Sequence, residues 1–375
     1  MARWINNNTT LMTGFVTVTT FMPYSTVLEE DTTQTTNSQA SDAAAVPWVW
    51  LPMEWPWWVI AQLVIAILGI CGNILVMLVL FNKDRVRRST DTLIGALAFA
   101  DFLTSVFFIP HRRIATLPSD TWLAQFYCRI IHTSQIKWVA VVASVFTLTA
   151  ISLERYIAIA HPFFFLRNVN PARTSMCIFI IWVAAIATNS YQAVVGYAAG
   201  NTCVVMFPSS SAQFAIGIFV FIVEFVLPVI VMILAQIMTA VILHRQSFRF
   251  QEGNSSNDRS NANMNHIVAR KRVIQMLFLV TTVFVLCWGP DQIFFLMLNL
   301  SLLDISYLYG LVHQSLVVLA FANSCANVFI YTIRYPQFRR AMCDMFRGDS
   351  NSKAALFGEV TAKDPRRSTR SSSNI

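Results

Sequence analysis

Residues 147–162 read TLTAISLERYIAIAHP. A long apolar run ends here in Glu154, Arg155 and Tyr156, and the chain changes direction at His161-Pro162. Charged residues make up only 12% of the chain. An arginine closing a run of about thirty largely apolar residues belongs where a membrane helix meets water or a protein-lined cavity. The rest of the sequence is read as the frame around that end.

The 375 residues are 55% hydrophobic, with 29 Phe and 10 Trp, and the mean hydropathy is +0.55. Several separate stretches reach the roughly 20 residues needed to cross a hydrocarbon core. The composition therefore predicts a polytopic membrane protein with short soluble segments. The sequence contains no P-loop, dinucleotide fingerprint, HExxH or nucleophile elbow, so no enzyme is expected. The seven cysteines form no CxxC pair or metal-ligand spacing. Cys71, Cys177, Cys287 and Cys325 fall inside apolar spans, whereas Cys128 and Cys203 are the two on the outer side, where oxidation can occur.

The net charge of +8 is unevenly placed. Of 27 Lys and Arg, 22 lie between alternate spans or after the last one, leaving Arg3, Arg112, Arg113, Arg129 and Lys137 elsewhere. That asymmetry predicts an external amino terminus and a cytoplasmic carboxyl terminus. Because the basic residues follow membrane topology, nucleic-acid binding is not expected.

In chain order, residues 1–56 read as an extracellular tail, with N-x-[ST] sites at Asn7 and Asn8 and a Trp cluster at 48–58 suited to the outer membrane interface. Span one is expected to act as the insertion signal in place of a cleaved leader. The predicted spans are 57–81, 91–115, 125–158, 172–196, 212–243, 267–298 and 306–332. The inner loop at 246–266 is polar and is read as disordered. Residues 334–346 set Phe338, Met342 and Phe346 opposite Arg339 and Arg340, the pattern of a helix lying on the membrane surface. Residues 347–375 read as a disordered cytoplasmic tail rich in Ser and Arg. The predicted fold class is an all-α membrane protein, a seven-transmembrane helix bundle with a short amphipathic eighth helix.

Over about residues 57–346 the chain resembles the rhodopsin-like (class A) G-protein-coupled receptors, most of all their peptide receptors. The resembling residues occur in order, one set per span. They are Gly72-Asn73, Leu97 with Asp101, Ser144 with Glu154-Arg155-Tyr156, Trp182, Pro228, and Cys287-Trp288 with Pro290. Four positions depart from the family pattern. The span-seven motif reads Asn327-Val328-Phe329-Ile330-Tyr331 without its proline, and Gln236 replaces a span-five tyrosine. Ala269-Arg270-Lys271 lacks the acid that restrains the span-three arginine in many members, which predicts a loosely held off state. Cys128 precedes Arg155 by 27 residues, two more than usual. If Cys128 pairs with Cys203 as the resemblance implies, an altered loop path or an irregular helix top must absorb those two.

The resemblance implies a switch and G-protein contact made by Glu154, Arg155, Tyr156, Trp288, Pro290 and Tyr331. It implies a sodium site at Asp101, Ser144, Asn323, Ser324 and Asn327, oxygen donors that suit a hard cation. The alternative for Asp101 is a hydrogen-bonded buried acid without an ion. The implied ligand pocket comprises Lys137, Trp138, Glu224, Asp291, Gln292, Phe295, His313 and Val317. Lys137 stands where amine receptors carry an aspartate, so a cationic amine would meet like charge there. Lys137, Glu224 and Asp291 either neutralise one another or pair with ligand groups.

The expected function is a plasma-membrane receptor that binds an extracellular peptide and activates heterotrimeric G proteins. The alternatives are a receptor for a small acidic or lipid ligand and a non-signalling seven-span decoy or scaffold. Expected regulators are arrestin and a receptor kinase acting on Ser350, Ser352, Thr361, Ser368, Thr369, Ser371, Ser372 and Ser373, with palmitoylation at Cys343.

Overall fold

The computed structural model describes residues 17–18, 48–81, 89–118, 121–252, 258–307, 310–334 and 336–347, with the backbone alone described over 247–273 and at several positions of the last helix. Asn7, Asn8 and the carboxyl-terminal phosphorylation candidates lie outside these residues. The helices are α1 (Trp57–Leu80), α2 (Ser89–Phe107), α3 (Trp122–Phe126), α4 (Gln135–Ala160), α5 (Pro162–Asn168), α6 (Pro171–Val195), α7 (Ser210–Val220), α8 (Leu227–Glu252), α9 (Asp258–Asn299), α10 (Leu311–Arg334) and α11 (Pro336–Arg347). Among the described residues, seven helical stretches are long and apolar enough to cross a membrane, with α3–α4 and α7–α8 each forming one stretch.

Local sequence sets most of the boundaries. Pro162 and Pro171 occupy first-turn positions, where a missing N–H costs nothing. The Asn170 side chain accepts from Arg173 N at 2.9 Å, and Ser209 Oγ accepts from Ala212 N at 3.1 Å. The turn expected at His161-Pro162 separates α4 from α5. Pro290 lies inside α9, which continues through it.

The long helices wrap around α4, which packs against α2, α6 and α8, while α10 closes the ring between α1 and α9. Lipid is as apolar as the side chains, so close approach and polar ties carry the association more than apolar burial does. Gly72 lets α1 approach α10, because a Cβ there would come within 3.0 Å of Val328 Cγ2. Gly69 likewise leaves room for the Ser105 hydroxyl of α2. Asn73 Nδ2 donates to the Gly69 carbonyl at 2.9 Å and to the Ser324 carbonyl at 3.0 Å, tying α1 to α10. The large exposed side chains of α1, among them Ile60, Val64, Ile67 and Leu78, form a lipid-facing belt.

At one end of the bundle lie short strands β1 (Thr17–Val18), β2 (Val49–Trp50), β3 (Ile114–Thr116), β4 (Gly196–Ala199) and β5 (Thr202–Met206). Strands β4 and β5 form an antiparallel hairpin flanked by β1, and β2 pairs with β3. The hairpin is tied to the top of α4 by the Cys128–Cys203 disulfide.

Two sequence expectations change. The stretch 246–266 is not an irregular loop throughout, because α8 runs to Glu252 and α9 begins at Asp258. Extending an existing helix avoids the cost of a new nucleus. Span two ends at Phe107 rather than 115, and residues 114–116 form β3. Trp48 and Trp50 contact Tyr127 edge-on at 5.8 and 6.4 Å. The third span is one long crossing interrupted near its top. A π-helical turn at Tyr127–His132 and a left-handed Ser134 (φ 57°) precede α4, an irregular helix top that takes up the two additional residues after Cys128.

Candidate functional site

The end opposite the disulfide carries the Glu154-Arg155-Tyr156 stretch, in the last turns of α4. Arg155 Nη2 lies 3.0 Å from Glu154 Oε2, and Nε donates to the same oxygen at 3.0 Å. Both side chains are nearly buried, at 12% and 7% exposure, so the pair is far less screened than a surface ion pair. Thr90 of α2 donates its hydroxyl to both Glu154 carboxylate oxygens, at 2.8 and 3.0 Å. The neighbouring Ser89 hydroxyl bonds that of Thr174 at 2.6 Å, joining α2 to α6. Tyr156 stands edge-on to His161 at 6.2 Å. Tyr331 is buried at the end of α10, where its ring lies 6.3 Å from that of the fully buried Phe338 of α11. The side chains of Arg270 and Lys271 lie outside the described residues.

Midway along the bundle, Asp101 of α2 is 1% exposed. Its Oδ1 accepts from Ser144 Oγ of α4 at 2.7 Å, and its Oδ2 accepts from Asn327 Nδ2 of α10 at 2.9 Å. Ser324 lies close by as well. Asn323 Oδ1 is buried without a hydrogen-bond partner. The structure therefore brings together four of the five residues of the expected sodium site and leaves the fifth with an unused acceptor. Neutral donors orient the Asp101 carboxylate but do not cancel its charge, and an oxygen-rich set with a spare acceptor fits a small hard cation.

Toward the disulfide end, Lys137 lies one turn inside α4. Its Nζ sits 5.0 Å from the Phe321 ring centroid, 5.3 Å from Trp138 and 6.0 Å from Phe108, within reach of cation–π attraction. Phe108 and Phe321 stack at 4.0 Å, and Trp288 stands 5.5 Å from Phe321 and 6.2 Å from Trp138. An aromatic floor thus runs from beneath Lys137 to Trp288, whose ring is buried while Pro290 faces outward.

Asp291 lies near enough to Lys137 for their charges to interact, yet among the described residues no ion pair joins Lys137 to Asp291 or Glu224. His313 stacks on Phe294 at 5.2 Å. Val317 packs against the central apolar cluster, and Phe295 is partly buried. Glu224 stands apart from the lysine. It lies in a second π-helical turn, Phe221–Val226, and its field reaches Tyr191 of α6.

Several contributors were not singled out by sequence. Thr90 meets Glu154 across 64 positions, and Phe108 and Phe321 become neighbours only through helix packing. Gln236, already noted as a departure, donates to Thr281 Oγ1 at 2.7 Å and the Leu277 carbonyl at 3.3 Å, bridging α8 and α9. A helical-face pattern could flag Gln236 as inward-facing, but nothing local names its partner.

A seven-helix membrane bundle with a disulfide-tied hairpin at one end and a buried acid–arginine pair at the other has the architecture of a transmembrane receptor. The family described as "7 transmembrane receptor (rhodopsin family)" matches residues 72–331, and the chain belongs to that family. It is 26% identical over 304 residues to the substance-P receptor of Aquarana catesbeiana, covering 78% of this chain and 72% of that protein. It is 25% identical over 299 residues to the substance-K receptor of Mus musculus, covering 77% and 75%. Against the substance-P receptor of Meriones unguiculatus the identity is also 25% over 299 residues, covering 77% and 70%.

Proposed function

We propose that this receptor lies in the plasma membrane with its disulfide end outside, binds a peptide there, and activates heterotrimeric G proteins through its Arg155 end. The Glu154–Arg155 pair, braced by Thr90, carries this reading. It is a nearly buried charge contact with a breakable partner, at the end where the sequence concentrates its basic residues. Receptors named for the peptides substance P and substance K are its relatives, which supports a peptide ligand. Ligand binding acts as a population shift, since a ligand moves a two-state bundle only by its difference in affinity for the two states. The aromatic floor from Lys137 to Trp288 gives ligand contacts a packed route toward Pro290 of α9.

Asp101, Ser144, Asn323, Ser324 and Asn327 would hold sodium, which when bound supplies the positive charge that Asp101 otherwise lacks. In the same reading, Asn7 and Asn8 are glycosylated, exposed Cys343 is palmitoylated against the bilayer, and the tail recruits receptor kinase and arrestin. A small acidic ligand is the second reading, favoured by Lys137 having no ion-paired carboxylate.

The test is a signalling screen in cells expressing the full chain, using substance P, substance K, a short-peptide library and small carboxylic acids. The proposal expects a peptide response lost in Arg155→Ala. A response to acids alone selects the second reading. No Arg155-dependent output, with or without ligand, at confirmed surface expression would instead indicate a decoy or scaffold.

A further inference from the structure

The π-helical turn at the top of the third span gathers positive charge around one aromatic ring. Tyr127 opens the turn and His132 closes it, with the two rings 6.5 Å apart. Trp48 and Trp50 pack edge-on against the same tyrosine. They are held there by the β2–β3 pairing and by the Leu51 amide, which donates to the Arg113 carbonyl at 2.9 Å. That bond brings the segment before α1 onto the stretch His111-Arg112-Arg113. The charges that reach His132 come from Arg113 and His111, and Arg113 also reaches Tyr127. His111, Arg112, Arg113 and His132 are exposed, so protons of the surrounding medium reach both imidazoles.

The elements packed against this turn are α3, α4, α6, β4 and β5. At this end they carry Lys137 of α4, Tyr191 of α6 and Tyr197 of β4, while Cys203 of β5 is held in the disulfide. Arg129, on the turn itself, donates from Nη1 to the Ala193 carbonyl of α6 at 2.6 Å. The acid on these elements is Glu154, at the opposite end of α4. Elsewhere at this end the described acids are Glu54 and Asp304, both exposed. An imidazole gains its proton near pH 6.5, within the physiological range. Acidification therefore adds two positive charges beside Arg113, and no acid on the packed elements stands near to balance them. Neighbouring like charges disfavour the charged form, so the packed arrangement binds protons less readily than a released one. By linkage, the state that binds more protons gains as pH falls. The packed arrangement thus persists above the imidazole range and gives way as pH drops through it. A break lies close by: Ser134, two residues after His132, is left-handed at φ 57°, and α4 begins at Gln135. The turn can shift there without unwinding α4.

We propose that His111 and His132, together with Arg113, form a pH-sensitive latch that keeps residues 48–51 on the disulfide end at neutral pH and releases them on acidification. This rests on the reading that the disulfide end lies outside the cell, where the pH of the medium varies. Clustered histidines that charge together act this way where a packed contact has two discrete arrangements. The contact here is the Trp48–Tyr127–Trp50 packing, beside the Cys128 anchor of the hairpin. Its release changes the end at which ligand is proposed to bind.

The test is hydrogen–deuterium exchange of the purified full-length receptor from about pH 8 to about pH 5, corrected for the intrinsic pH dependence of amide exchange. The reporters are the amides of residues 48–51, which include the Leu51 N–H bonded to Arg113. Their corrected exchange should rise about 5-fold or more on acidification, as a shared difference of about one pKa unit would give. In the double variant His111→Gln/His132→Gln the rise should stay below about 2-fold. An unchanged corrected rate in the wild-type receptor, or an equal rise in the double variant, overturns the proposal. If the double variant does not reach the membrane, Arg113→Gln decides. It removes one of the like charges and leaves the backbone carbonyl, so a diminished rise supports the latch and an undiminished one overturns it. The measurement needs neither ligand nor G protein. Acid-induced release with no Arg155-dependent output overturns the signalling reading alone, and signalling without the release overturns the latch alone.

Discussion

Thr90 and Glu154, 64 positions apart, meet through a hydroxyl that donates to both carboxylate oxygens. The carboxylate so oriented is the one that holds Arg155. Thr90→Val keeps the side-chain shape and removes the donor. Loss of a hydrogen bond to a charged group costs about 1.5–3 kcal/mol, enough to move a two-state balance by about 10- to 150-fold. Ligand-free nucleotide exchange on the G protein should rise in Thr90→Val at matched surface expression. An unchanged basal rate would show that Thr90 does not brace the pair.

Gly72→Ala places a methyl against Val328, where the family pattern has proline. Overpacking of this kind costs about 1–3 kcal/mol. The detergent-solubilised receptor should lose thermal stability, and Val328→Ala should restore most of it in the double mutant. Additive losses would mean that the two residues do not meet.

Gln236 bridges α8 to α9 through Thr281. Thr281→Val should destabilise the receptor by about 1 kcal/mol, the value of one neutral hydrogen bond. Gln236→Leu should do the same, and the pair should be non-additive in thermal unfolding. Equal effects that simply sum would place the contribution elsewhere.

Sodium at Asp101 should oppose agonist binding if the ion favours the resting bundle, by linkage between the two sites. Raising sodium at constant ionic strength should weaken the affinity of any agonist found in the peptide screen. Asp101→Asn should abolish that dependence. A sodium effect undiminished in the mutant would place the ion at another site.

The long apolar runs made the seven crossings legible, because about 20 residues of hydrocarbon leave few alternatives to a helix. Glu154-Arg155 stood out because charge is rare in such a chain. The spacing of Cys128 from Arg155 demanded an accommodation, and the π-helical turn with Ser134 supplies it at the helix top. Thr90, Phe108 and Phe321 were not legible, since their roles come from packing between distant spans and no local pattern marks them. Polar composition misread 246–266, where helix propagation outweighs the preference of Asn and Ser for turns.

The break above α4 also bears on how such a chain tolerates change in length. Two residues inserted into an uninterrupted α-helix would rotate everything beyond them by about 200°. Here the π-helical turn and the left-handed Ser134 take up that rotation between Cys128 and Gln135. The covalent anchor and the lysine-bearing face are thereby decoupled in phase. Insertions or deletions at 132–134 can vary the reach of the hairpin without turning Lys137 away from its aromatic floor.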